Sequence, residues 1–311
     1  MKRALAAVDI RSSQEDLQAS LEQAGLSVQP LSWRTGSLVQ GLDLRRPEAI
    51  AASTVRDLWR LLGERGILLF RGQHLDHDQH LAFTRRFGPL AETGLLGRHA
   101  PQGYPDLFRV TNIKTDGKRS ETENAAQQWH SDQSFMPVPA RASLLRCVHA
   151  PEQGGDTMFA NMYQACEALS DGLRAKLGSM RAFHTLFSSR SQATVGRQPF
   201  SSVKDGELQQ LSGTHHPVLR LHEDSGRYAL YVSEQMVDRF EGWTVAESAP
   251  LLDYLFALSV RPAHTYRHRW TPGDLIFWDN RSVMHYAPID YDFASLDLPE
   301  TRRLMFRSTL A

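Results

Sequence analysis

A mainly β fold with flanking helices (α+β), centred on a jelly-roll barrel, is the architecture that this sequence of 311 residues predicts. Short strand-like runs bounded by turn residues crowd the second half of the chain. They lack the regular β-α alternation that a doubly wound parallel sheet requires. No G-x-G-x-x-G fingerprint occurs, which argues against a dinucleotide-binding fold and for a barrel decorated with helices.

Taken in order, residues 11–24 form a short polar helix stopped by Gly25. From Val28 the text becomes strand-like, interrupted by Gly36, Gly41 and Pro47. Thr54 to Glu64 places Leu58, Leu61 and Leu62 on one helical side, and Gly66 ends that helix. Ile67-Leu68-Leu69-Phe70 is a buried strand, and Asp76 to Phe87 is a further helix closed by Gly88-Pro89. Gly94 to Ala126 is polar and turn-rich apart from a strand around Leu107 to Asn112, so it is either a disordered insertion or a lid over a site. A helix near Met162 to Ser179, a polar loop from Ser188 to Gly206 and strands to the end complete the chain. Residues 1–27 are expected to be an N-terminal extension to a single domain over 28–311.

Composition narrows the function. Thirty-five basic residues balance 35 acidic ones, so no excess charge points to nucleic acid or to an anionic membrane surface. The two cysteines, Cys147 and Cys166, form neither a C-x-x-C pair nor a disulfide framework, which fits a reducing compartment. The short apolar stretch of Met1 to Ile10 is broken by Asp9 and is neither a signal peptide nor a membrane span, so a cytoplasmic protein is expected. His74, His77 and His80 recur at a three-residue step, but they sit at the polar start of a helix that ends in Phe83 and Phe87 and are expected to be structural.

The chemistry concentrates elsewhere. His130-Ser131-Asp132, placed on a strand, would turn both ligand side chains to one face. His285, delivered by the apolar strand text ahead of it, completes a set of two histidines and one carboxylate. Such a facial triad suits Fe(II) and leaves three coordination positions open for a co-substrate and O2. A lone H-x-D also marks an ordinary hydrogen-bonded pair, so the surrounding text matters. Arg302 to Arg307 reads as a strand with Arg303, Met305 and Arg307 on one face. Two inward arginines need anionic partners, and a guanidinium matches a carboxylate with its fork of donors; an exposed basic strand is the alternative.

The chain resembles the taurine dioxygenase family of Fe(II)/2-oxoglutarate-dependent dioxygenases. The resemblance runs from about Val28 to the end, through Gly41-Leu42-Asp43-Leu44, Leu69-Phe70-Arg71-Gly72-Gln73 and Arg86-Phe87-Gly88-Pro89-Leu90. It continues through Trp129-His130-Ser131-Asp132, Gly154-Gly155-Asp156-Thr157, Pro272-Gly273-Asp274-Leu275 and Trp278-Asp279-Asn280-Arg281. It implies a double-stranded β-helix core, iron held by His130, Asp132 and His285, and 2-oxoglutarate and O2 as co-substrates. Matched residue by residue, Arg303 would grip the distal carboxylate of 2-oxoglutarate with help from the Thr157 hydroxyl, and Arg307 would bind the substrate. The implied reaction hydroxylates a small, anionic molecule and releases succinate and CO2, with desaturation or ring closure as variants of the same chemistry. A barrel that has lost catalysis and only binds a ligand, or a metal-dependent hydrolase using the same ligands, are the competing classes. Family members commonly self-associate, so a homo-oligomer is a further expectation.

Departures from the family carry information too. Ala91-Glu92-Thr93 replaces a histidine-bearing segment of the taurine enzyme, and Ala126 stands where that enzyme has an asparagine. Taurine is therefore not the expected substrate. Asp292 to Leu298 is an extra segment between His285 and Arg303, which leaves Arg302 as the rival to Arg303. The substrate pocket is expected in loops 94–126 and 188–206, with Leu95, Leu96, Phe108 and Phe200 as its apolar component.

Overall fold

The structure, a computed structural model, describes residues 10–91, 99–114, 120, 122, 126–190, 213–288, 290 and 298–311. Helix α1 (Ile10–Gln23) is followed by strands β1 (Ser27–Pro30) and β2 (Ser37–Gln40), helix α2 (Ala52–Arg65), strand β3 (Ile67–Phe70) and helix α3 (His77–Arg85). Gly66 ends α2 in a left-handed conformation (φ 73°), which suits a residue without a Cβ. Asp76 and Gln79 begin α3 with a reciprocal capping box. Strands β4 (Phe108–Thr111), β5 (Ala142–His149) and β6 (Thr157–Asn161) come next, then helices α4 (Met162–Glu167) and α5 (Asp171–Leu177). The single helix expected over 162–179 is thus two short ones, because Ser170 leaves the helical conformation and caps the Leu173 amide with its hydroxyl.

Strands β7 (Arg181–His184), β8 (Thr214–Pro217), β9 (Leu219–Leu221), β10 (Tyr228–Leu230) and β11 (Val237–Phe240) lead to helix α6 (Val245–Ser259). The sequence predicts strands alone for this region, and α6 departs from that expectation. The signal for α6 is local: Thr244 and Glu247 form a capping box ahead of an apolar run. Strands β12 (Thr265–His268), β13 (Leu275–Asp279), β14 (Val283–Tyr286) and β15 (Leu304–Leu310) complete the fold.

The result is an α+β fold with several sheets. A seven-stranded sheet runs β1-β2-β3-β13-β5-β15-β4, parallel only between β2 and β3. Smaller antiparallel sheets are β12-β6-β14, β11-β7-β8 and β10-β9. Period-two alternation divides the large sheet into two apolar faces. Leu68, Phe70, Leu144, Leu275 and Phe277 pack with Leu17 and Leu21 of α1 and with Leu58 and Leu62 of α2. Ile67, Leu69, Leu145, Cys147, Ile276, Trp278 and Met305 form a second core with Phe159 of β6 and Val283 of β14. Burial on both faces explains why β3 reads as an unbroken apolar run. The second core is the side on which the chemistry-bearing residues gather. Among the described residues, no helix is long and apolar enough to cross a membrane.

Candidate metal centre

His130, Asp132 and His285 come together as buried residues whose ligand atoms all lie within 4.8 Å of one another. Among the described residues they are the only such group of three or more His, Cys, Asp or Glu side chains. The H-x-D pair reaches this point without lying on a regular strand. His130 makes an isolated antiparallel bridge to His285, its N–H donating to the His285 carbonyl at 3.1 Å and receiving the reverse bond at 2.9 Å. The chain then turns through Gln133 at φ 53°, and the Asp132 N–H donates to the side chain of Asn280 rather than to a neighbouring strand. The expected strand is therefore a bridge and a turn. A side-chain acceptor in place of a sheet partner lets the chain curl, so that Asp132 faces both histidines.

The donor set is ordered for a cation. His130 Nδ1 donates to the Gln128 carbonyl at 2.8 Å, which turns its Nε2 lone pair to the centre. The Nε2 atoms of His130 and His285 lie 3.8 and 3.9 Å from Asp132 Oδ1. Burial, the dominant influence, pushes both imidazoles below the ordinary histidine range and keeps them neutral, as ligation requires. Burial works against a charged Asp132. The positive charge of Arg307 is the largest of the influences that overcome it, with the Ser143 hydrogen bond a lesser one, and the Asp132 pKa falls to about 2. Two neutral imidazoles and one ionised carboxylate are the ligands that Fe(II) takes in a facial triad, so the residues present fit that ion.

Residues 27–309 match the family described as "Taurine catabolism dioxygenase TauD, TfdA family". The chain belongs to this family. It is 37% identical over 256 residues to the α-ketoglutarate-dependent 2,4-dichlorophenoxyacetate dioxygenase of Cupriavidus pinatubonensis, covering 79% of this chain and 86% of that protein. It is 30% identical over 299 residues to the (S)-phenoxypropionate/α-ketoglutarate-dioxygenase of Sphingobium herbicidovorans, covering 91% of this chain and 94% of the relative. The crystal structure of AAD-2 in complex with Mn(II) and N-oxalylglycine superposes with a TM-score of 0.75 at 29% identity, covering 92% of this chain and 97% of that one. This TauD/TfdA protein is an α-ketoglutarate (2-oxoglutarate)-dependent dioxygenase.

The arginines of the TauD/TfdA chain obey strand parity. Met305 belongs to the inner core, whereas Phe306 packs on His77 of α3 with ring centroids 4.4 Å apart and Ser308 bonds His80 at 2.9 Å. Arg303 and Arg307 therefore lie on the side of Met305. Arg303 is 7% exposed, with its Nε donating to the Gly155 carbonyl at 3.2 Å, while Arg302 is exposed. Asn112 accepts the Arg303 N–H at 2.7 Å and so anchors the start of β15. Thr157, two residues beyond Gly155, is buried, and its Oγ1 accepts the Trp270 indole N–H at 2.9 Å. With that lone pair engaged, the hydroxyl proton of Thr157 remains available to an acceptor. Arg307 Nη1 donates to Asp132 Oδ1 at 2.5 Å, and its guanidinium lies 5.0 Å from the Phe108 ring centroid.

The histidine triplet at the start of α3 is structural where described. His80 is fully buried, and burial pushes its pKa down to about 3. Its Nε2 bonds the Ser308 hydroxyl, which also bonds Thr84 at 2.8 Å. His77 Nδ1 accepts from Arg146 at 2.9 Å. Leu95, Leu96 and Phe200 lie outside the described residues, as does the extra segment except Leu298, which is 47% exposed. Asn280, Ser143 and Asn112 are functional neighbours of the site that the sequence alone does not single out. The abrupt change from the apolar run Leu275 to Trp278 to the polar Asp279-Asn280-Arg281-Ser282 is the available signal for Asn280; a serine in a strand offers none.

Proposed function

We propose that this 2-oxoglutarate-dependent dioxygenase hydroxylates a C–H bond of a small carboxylate-bearing molecule other than taurine, releasing succinate and CO2. His130, Asp132 and His285 would hold Fe(II), which when bound supplies the oxidative chemistry that the side chains cannot. Arg303 and Thr157 would hold the distal carboxylate of 2-oxoglutarate, one by its donor fork and the other by its free hydroxyl proton. Arg307 would hold the acid group of the main substrate. The observation that carries this reading is the position of Arg307, a guanidinium 12% exposed at the rim of the triad with an aromatic ring at its side. That pairing of a partly buried cation with Phe108 suits an acid carrying an apolar or aromatic body. The named activities of the Cupriavidus and Sphingobium relatives, on 2,4-dichlorophenoxyacetate and (S)-phenoxypropionate, support the same substrate class.

The inner core between the large sheet and β12-β6-β14 supports a double-stranded β-helix as the frame of the catalytic domain over 28–311, with 1–27 as an extension that packs on it through α1. A cytoplasmic setting agrees with two buried, unpaired cysteines. The test is succinate release by the purified protein with Fe(II), ascorbate and 2-oxoglutarate, in the presence of aryloxyalkanoic acids, alkyl sulfates or taurine. Stimulation by a carboxylic acid and none by taurine is the expected pattern. Stimulation by taurine alone refutes the substrate class, and absence of succinate under every condition refutes the reaction.

A further inference from the structure

We propose that Asn280 and Ser143 form a hydrogen-bond relay that restricts Asp132 to one metal-facing oxygen and so preserves a coordination position for O2. This rests on His130, Asp132 and His285 being the metal ligands. Asn280 follows β13 directly and is fully buried, and its backbone N–H donates to the Arg141 carbonyl at 2.9 Å. Its side-chain oxygen accepts the Trp278 indole N–H at 2.9 Å and the Asp132 backbone N–H at 3.3 Å. Both partners can only donate, which fixes which way round the amide sits. The Asn280 Nδ2 therefore faces Ser143 Oγ, 3.0 Å away, and donates to it. Having accepted there, the Ser143 hydroxyl directs its own proton to Asp132 Oδ2, at 2.7 Å.

Every link in this chain is directional and buried. It leaves the two carboxylate oxygens with different duties. Oδ2 is held by a short hydrogen bond on the side of β5, while Oδ1 faces His130 and His285 and also accepts from Arg307 Nη1 at 2.5 Å. The distinction matters because the triad of two histidines and one carboxylate oxygen leaves three open positions. A chelating 2-oxoacid occupies two of them and O2 needs the third. A carboxylate that bound through both oxygens would fill that last place. Asn280 and Ser143 touch neither co-substrate; they act through Asp132 as positioning residues.

The experiment uses the full-length protein, its Ser143→Ala and Asn280→Asp variants, and nitric oxide as a diatomic probe that binds Fe(II) without turnover. Asn280→Asp replaces the donor Nδ2 by an oxygen, so the Ser143 proton is drawn away from Asp132. Because an added buried carboxylate strains the fold, Ser143→Ala carries the test, and thermal melting of the metal-free proteins accompanies it. With 2-oxoglutarate bound and air excluded, Ser143→Ala should lose at least about tenfold in nitric oxide affinity, read by electron paramagnetic resonance, while Fe(II) affinity stays within about threefold. The KM for O2 in 2-oxoglutarate decay should rise in parallel, with the KM for 2-oxoglutarate little changed. Wild-type values for nitric oxide and O2 in Ser143→Ala would overturn the relay and leave a packing role. A fall in Fe(II) affinity equal to the fall in nitric oxide affinity would overturn it as well, since the serine would then merely hold Asp132 in place. The metal assignment is checked separately by Fe(II) affinity of wild type against His130→Ala. Equal values there would refute the assignment itself, and the relay with it.

Discussion

Replacing Arg303 by alanine while leaving Arg302 intact, and the reverse, tests the co-substrate site at its most exposed assumption. Arg303, directly ahead of β15, is 7% exposed, and its Nε is already committed to the Gly155 carbonyl. The guanidinium is thus oriented before a ligand arrives. Removing one partner of a buried charge pair costs about 3–5 kcal/mol, because the other is left desolvated and unpaired. At about 1.4 kcal/mol per tenfold, Arg303→Ala should weaken 2-oxoglutarate by roughly two to three and a half orders of magnitude. Arg302 is exposed, and its truncation should change the KM by less than about threefold, as for other surface sites. Succinate formation against 2-oxoglutarate concentration gives the KM, and anaerobic calorimetry gives the affinity without turnover. A loss below about tenfold in Arg303→Ala, or a larger loss in Arg302→Ala, would show that the distal carboxylate lies elsewhere.

Three further outcomes are expected. His130→Ala, Asp132→Ala and His285→Ala should each abolish 2-oxoglutarate turnover and weaken Fe(II) binding; a variant that keeps both is incompatible with the triad. Arg307→Ala should reduce the substrate-stimulated rate at least about tenfold while the substrate-independent decay of 2-oxoglutarate survives. Since Arg307 also helps to keep Asp132 ionised, equal collapse of the two rates would assign it to the metal site instead. Stability should fall in acid through His80, whose folded pKa of about 3 lies below its ordinary 6.5. The unfolded chain then takes the proton first, so stability is full above the unfolded pKa and declines as pH drops below it, by about 2 kcal/mol at pH 5. Urea unfolding of wild type and His80→Gln at pH 7.5 and 5 measures this, and a wild-type loss no greater than the variant's would exclude His80 as the cause.

Legibility in the sequence followed the range of the interactions involved. Helices α1 to α3 were readable because leucine spacing, Gly66 and the Asp76 cap are local signals. Strand β3 was readable from its unbroken apolar run, and the inward pair Arg303 and Arg307 from simple parity. Helix α6 also has a local signal, its cap at Thr244, but the strand-rich text around it masks that signal. The break at Ser170 is also local, but a serine cap inside a helical pattern is easily taken for one more polar face position. The turn at Asp132 was beyond reach for a different reason. Its cause is a bond to Asn280, 148 positions away in sequence, and nothing near Asp132 announces it. The same holds for Ser143, whose hydroxyl acquires a duty only when β5 is laid beside β13.

Strand β15 works as a ruler. Side chains on one face of an extended chain recur every second residue, about 6.6 Å apart, so Arg303, directly ahead of β15, and Arg307 within it are separated by roughly 13 Å of backbone. Inserting or deleting a single residue between them would turn one arginine to the side where Phe306 and Ser308 meet α3, away from the inner core. Changes in chain length are tolerable only outside this interval. The extra residues of this chain, 292–298, stand ahead of Arg303 and leave the interval untouched. The length of the chain at that place is free of this constraint. The distance between the two arginines, which under the proposed roles would set the separation between a co-substrate tail and a substrate acid group, is not.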